Sequence, residues 1–108
     1  MSLFGQYIQE RLNKSIVEND KGFATFYPLH DGMYIEDIYV IPDERHSGEA
    51  SRLADQVSVI AKEKGMNRLY GSVKPSAKYA TAALKVLLAY GFELSEAGPD
   101  AVIMRKEI

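Results

Sequence analysis

The sequence predicts a mixed α+β (α/β-like) domain, with a mostly antiparallel sheet that contains one parallel strand pair and is flanked by helices. Three observations predict it. Residues 34–65 pass from a strand through a tight turn into a helix. A further strand pattern, 68–73, follows that helix, and a strand reached through a helical crossover lies parallel to the one it left. Strand-and-turn patterns before residue 34 and after Gly91 supply antiparallel hairpins.

The central stretch fixes the frame. Residues 34–41 are rich in β-branched and aromatic side chains, and Pro42 cannot donate to a ladder, so the strand stops there. From Gly48 the period changes. Ala50, Leu53, Ala54, Val57, Ile60 and Ala61 recur at helical spacing until Gly65, a suitable C′ residue. Between strand and helix lies Arg45-His46-Ser47-Gly48-Glu49-Ala50. A small-residue turn entering a helix exposes backbone N–H groups at the positive end of the helix dipole, a setting that suits a phosphate or pyrophosphate.

The other elements follow in order. Residues 3–12 read as a short helix with Ser2 as N-cap and an apolar stripe of Phe4, Tyr7, Ile8 and Leu12. A brief strand at 15–18, a turn at 19–22, a strand at 23–29, a turn at 30–32 and a strand at 33–41 make a meander. After strand 68–73, Pro75-Ser76 opens a second helix with Ser76 as N-cap and Ala80, Ala83, Leu84, Leu87 and Leu88 facing inward. Gly91 ends it, and 92–96 with 101–106 form a last hairpin.

Composition narrows the function classes. With 108 residues the chain is long enough for one core and reads as a single domain, 1–108. A formal net charge of −2 argues against a nucleic-acid partner, which would want a basic surface. The absence of cysteine removes disulfides, thiolate metal sites and Cys nucleophiles. His30 and His46 are isolated, so no metal site is expected. No signal-peptide pattern or spanning apolar run is visible, so the expectation is a cytoplasmic protein with no membrane partner.

Arg45-x-x-Gly48-x-Ala50, following Ile38-Tyr39-Val40-x-Pro42-Asp43-Glu44, resembles the acetyl-CoA-binding motif of the GNAT N-acetyltransferase superfamily. Tyr90-Gly91-Phe92 resembles that family's closing Gly-Phe, and the order of elements over 22–108 agrees. The resemblance implies a GNAT-like fold whose parallel strand pair splays apart to take the pantetheine arm of acetyl-CoA, the cosubstrate. It also implies an abbreviated N-terminal part, a region that usually helps to wall the acceptor cleft. Cofactor-binding residues implied are Ile38, Tyr39 and Val40 on the strand, and Arg45, His46, Ser47, Gly48, Glu49, Ala50 and Ser51 in the turn. The loop departs from the family at Ser47, where a basic residue is common, and at Glu49, whose carboxylate would repel a nearby phosphate.

The implied reaction is direct attack of an amine on the thioester, which needs a group to take the amine's proton and one to protonate the thiolate. Glu36 and Asp37 are the candidate bases, and strand alternation puts them on opposite faces. The family's frequent carboxylate two residues earlier is replaced by Tyr34, and its usual tyrosine acid by Leu87. An asparagine that often contacts the cofactor is replaced by Ala80. Tyr79 is the candidate substitute acid. The expected partner is a small-molecule or protein amine acceptor, with a homodimer left open. The competing reading is a catalytically weak or inactive acyl-CoA-binding or regulatory module of the same fold.

Overall fold

The parallel pair sits at the centre of a six-stranded sheet. The computed structural model describes residues 2–76 and 78–108. Its strands are β1 (Ser15–Glu18), β2 (Gly22–Leu29), β3 (Gly32–Val40), β4 (Arg68–Val73), β5 (Glu93–Ala97) and β6 (Val102–Glu107). They are ordered β1-β2-β3-β4-β6-β5, with only β3 and β4 parallel. The helices are α1 (Leu3–Leu12), α2 (Glu49–Glu63) and α3 (Ala80–Tyr90). This is the mixed sheet expected from the strand–helix–strand pattern.

The crossover helix carries the core. Leu53, Ala54, Val57 and Ala61 of α2 are buried with Ala24, Phe26, Met33, Ile35 and Val40 of the meander. Ala50 and Ile60 pack at the margin of this cluster, so all six predicted α2 positions face inward. Gly65 adopts φ +80° after the helix.

The flanking helices differ from expectation. Ser2 caps α1 through its side chain, accepting from Gly5 N–H at 2.9 Å. Of the predicted α1 stripe, however, only Ile8 is buried, with Gly5; Phe4, Tyr7 and Leu12 are exposed. Helix α1 leans mainly on β1, so its contact is narrow. The second helix begins at Ala80, with Tyr79 rather than Ser76 at its N-cap. Pro75, Ser76, Lys78 and Tyr79 are turn residues that carry the chain back from the end of β4. Ala80, Leu84 and Leu87 are half-buried, whereas Ala83 and Leu88 lie on the shoulders of that stripe and are exposed.

Candidate active site

Strands β3 and β4 pair at two rungs only, Met33 with Leu69 and Tyr34 with Tyr70. Beyond them β3 stays paired to β2 as far as Val40, and β4 stays paired to β6 as far as Val73. A gap therefore opens between residues 35–40 and 71–73. Backbone groups of β3 that would continue the ladder face this gap. Its mouth lies at the C-terminal ends of both strands, where the turn into α2 begins.

That turn is shaped by two left-handed residues, His46 (φ +66°) and Gly48 (φ +86°). Gly48 is the N-cap of α2 and provides no side-chain cap. The first helical bond runs from Arg52 N–H to the Gly48 carbonyl, at 3.1 Å. The N–H groups of Glu49, Ala50 and Ser51 thus have no acceptor inside the helix, and the helix dipole places positive potential there. A Cβ added at Gly48 would meet nothing within 4 Å, so the turn is open to a ligand on that side.

Arg45 closes the turn against the strand. Its Nε donates to the Val40 carbonyl at 2.9 Å, and its guanidinium lies over the Tyr39 ring, 5.6 Å from the centroid. The carbonyl of Val40, one of the implied cofactor-binding residues, therefore already has one partner. Ser47 donates its hydroxyl to the Glu44 carbonyl.

Glu49 behaves differently from the expectation that it would oppose a phosphate. Its side chain is buried, accepting from Asn19 Nδ2 at 2.9 Å and Arg52 Nη1 at 2.7 Å. These two hydrogen bonds, Asn19 first, hold the carboxyl below the usual carboxylate range. The charge is compensated locally, and it ties the β1–β2 turn to the start of α2.

On one face of the sheet the gap is roofed by α2 and α3. Ile35, Ile38, Ala54, Val86, Leu87 and Phe92 line a tight apolar cleft there, with Ser51 at its edge. Leu87 lies over Gly71, 3.5 Å from where a Cβ would stand. The Tyr90 hydroxyl donates to Asp55 and joins the two helices. Burial and then that bond raise the phenol's pKa.

The opposite face carries the acidic residues, and a β-bulge arranges them. Thr25 pairs with Asp37 but Phe26 with Ile35, so Glu36 is an extra residue in β3. Ile38 lies opposite Ala24 and Ile35 opposite Phe26, which puts both isoleucines on the α2 face. Glu36 and Asp37 between them both project from the other face. Their expected placement on opposite faces is corrected by this bulge, which inverts the alternation. Glu36 accepts from Lys14 Nζ at 2.7 Å, and that bond raises the lysine pKa. Asp37 is exposed. Residues flanking α1 tie its ends to β1 and β3: Ser2 donates to Glu18 and Lys14 to Glu36.

This face also carries Tyr27, Tyr34 and Ser72, of which only Tyr34 was singled out in the sequence, as the replacement of a carboxylate. Tyr27 and Tyr34 face each other across β2 and β3, ring centroids 5.2 Å apart. Burial raises the Tyr27 phenol's pKa. The Tyr34 hydroxyl is hydrogen-bonded to that of Ser72 on β4. Tyr79, the candidate acid, is instead 68% exposed on the rim of an open depression with His46, Lys78 and Lys85. No cluster suited to a metal ion occurs among the described residues.

A parallel pair that parts above the bare N-terminus of a crossover helix is the architecture of the N-acetyltransferase class. The chain belongs to the GNAT acetyltransferase family, whose profile matches residues 16–92. Acetyl transfer is thereby its reaction class. Solved structures agree in fold. The PaiA N-acetyltransferase of Thermoplasma acidophilum, in complex with coenzyme A, superposes with a TM-score of 0.78 at 18% identity, over 98% of this chain and 69% of that one. A GNAT family acetyltransferase of Elizabethkingia anophelis with acetyl-CoA bound gives 0.73 at 19% identity, over 95% and 82%. The anti-CRISPR protein AcrVA5 gives 0.73 at 20%, over 87% and 98%. No curated protein sequence matches the chain.

Proposed function

We propose that this protein transfers an acetyl group from acetyl-CoA to an amine by direct attack within the β3–β4 gap. The observation that carries the reading is the parting of the parallel pair after two rungs, with its mouth at the open N–H groups of Glu49, Ala50 and Ser51. Those groups suit the donor's pyrophosphate, and Lys78, Lys85, His46 and Tyr79 rim the depression where its nucleotide end would lie. At about 3.3 Å per residue, residues 35–40 span about 20 Å of strand edge, length enough for a pantetheine arm. A backbone N–H of β3 near Ile38 to Val40 would polarise the thioester carbonyl.

The acceptor enters from the face opposite α2 and α3. Glu36 is engaged by Lys14, so Asp37 is the carboxylate free to receive the ammonium proton before attack. Tyr79, solvent-exposed at the rim, is assigned to ligand contact rather than to acid catalysis. Leu87 supports the second reading, a slow or inactive module, because it puts an alkyl group where the family's acid stands. The acceptor is taken to be a small-molecule or protein amine, and the place of action the cytoplasm. Among the described residues, no helix is long and apolar enough to cross a membrane.

Two variants at one position test the donor site. Gly48→Asp adds strain and a negative charge; Gly48→Asn adds comparable strain at φ +86° without the charge. Acetyl-CoA should raise the wild-type Tm in proportion to its affinity, since it binds the folded state. We expect Gly48→Asn to retain much of that shift and Gly48→Asp to lose it. Equal shifts in Gly48→Asp and wild type would move the donor site elsewhere.

A further inference from the structure

The hydroxyls of Tyr34 and Ser72 meet across the parallel pair at the point where it begins to part. Tyr34 belongs to the last rung, opposite Tyr70, and Ser72 lies two residues further along β4. Both project from the face that carries Asp37. Tyr34 is opposite Tyr27 there, and Ser72 alternates with Gly71, whose Cβ position points at Leu87 and Phe92 on the other face. A donor molecule with phosphates at the α2 turn directs its acyl end down the gap toward this rung. On the roofed face the lining is alkyl and aromatic apart from Ser51 at its edge, and the Tyr90 hydroxyl is committed to Asp55.

We propose that Tyr34 and Ser72 form a proton relay that delivers the amine's second proton to the CoA sulfur, replacing the acid absent at Leu87. The inference rests on the acetyl-CoA reading above. The amine nitrogen forms the C–N bond as the carbonyl π electrons move to oxygen. As the C=O bond re-forms, the C–S bond breaks and its electron pair stays on sulfur. The nitrogen's surplus proton passes to Ser72 Oγ, the Ser72 proton to the Tyr34 oxygen, and the Tyr34 proton to sulfur. Both side chains end as they began, and no further reactant is needed.

A phenol can donate and accept, as can an alcohol, so the pair can pass a proton in one direction without storing charge. The charged and titratable neighbours on this face are Lys14, Tyr27, Glu36 and Asp37, with Tyr70 beside Tyr34 on β4. Tyr70 is itself bonded to Asp31 and Arg68, and Arg105 of β6 lies opposite it. Burial keeps the adjacent Tyr27 phenol protonated to higher pH than usual, so it does not compete as a base. Tyr34 would be the catalytic residue, in contact with sulfur, and Ser72 the group that supplies and orients its proton.

The test uses CoA and desulfo-CoA, which differ only in the thiol, with Kd measured by calorimetry from about pH 7 to about pH 9.5. A donor aimed at sulfur stabilises the thiolate and lowers the bound thiol's pKa. CoA should then gain affinity over desulfo-CoA by about tenfold as pH rises in wild type, equivalent to about one unit of pKa. The gain should vanish in Tyr34→Phe and shrink in Ser72→Ala, with desulfo-CoA affinity unchanged in both. An equal gain in wild type and Tyr34→Phe, or none in wild type, overturns the relay while leaving the donor site intact. If wild type binds neither ligand, the acetyl-CoA reading fails and the relay with it. Should Tyr34→Phe not fold, Ser72→Ala decides: a gain equal to wild type overturns the relay.

Discussion

Helices α2 and α3 roof the same gap but are held very differently. Helix α2 buries Leu53, Ala54, Val57 and Ala61 in the core and fixes its first turn through the Asn19–Glu49–Arg52 bonds. No residue of α3 is buried, and it rests on half-buried Leu84, Leu87 and Tyr90. The α2 wall is therefore built into the folding core, whereas the α3 wall gains burial only from what lies beneath it. A ligand in the gap would cover apolar surface on α3 that the protein alone leaves exposed.

The largest break in this comparison is at the buried leucine. Leu53 is fully buried, so Leu53→Ala should cost about 2–5 kcal/mol and lower Tm by on the order of 10 °C or more. Leu88, 53% exposed on α3, should cost less than about 0.5 kcal/mol when changed to Ala. Thermal melts of the two variants check the contrast. Similar losses would mean that α3 is anchored as firmly as α2.

A smaller, pH-dependent effect sharpens it. The Glu49 carboxyl has a lowered pKa in the folded protein, so its contribution to stability is full above the unfolded value, about 4.3. It is lost as pH falls through the folded value. Glu49→Gln should therefore lower Tm at pH 7, and the difference from wild type should shrink under acid conditions below about pH 4. A difference independent of pH would show that the carboxylate's charge is not what secures the first turn of α2.

The same contrast governs what was legible in the sequence. The α2 positions follow helical spacing because the whole face is buried, so burial wrote itself into the pattern. Helix α3 buries too little for that, and an Ala- and Leu-rich run reads as inward on every side; hence the misplaced start and the exposed Ala83 and Leu88. The turn 45–51 was legible as a strand-to-helix turn because its geometry is set locally, by Gly48 at positive φ. The arrangement of the acidic face was not. One extra residue at Glu36 reverses the alternation, and nothing in Glu36-Asp37 announces a bulge. Lys14 with Glu36 and Tyr34 with Ser72 are separated by 22 and 38 residues, so only the folded sheet brings them together.

The central claim is that acetyl-CoA lies in the β3–β4 gap with its phosphates at the start of α2. Backbone amide hydrogen exchange, resolved by residue with and without acetyl-CoA, tests it most directly. The unpaired edge of β3 within 35–40, the N–H groups of Glu49, Ala50 and Ser51, and the inner turns of α3 should become protected, while β1 and its pairing with β2 stay unchanged. Binding that protects other elements and leaves the β3 edge and these N–H groups exchanging freely would contradict the account.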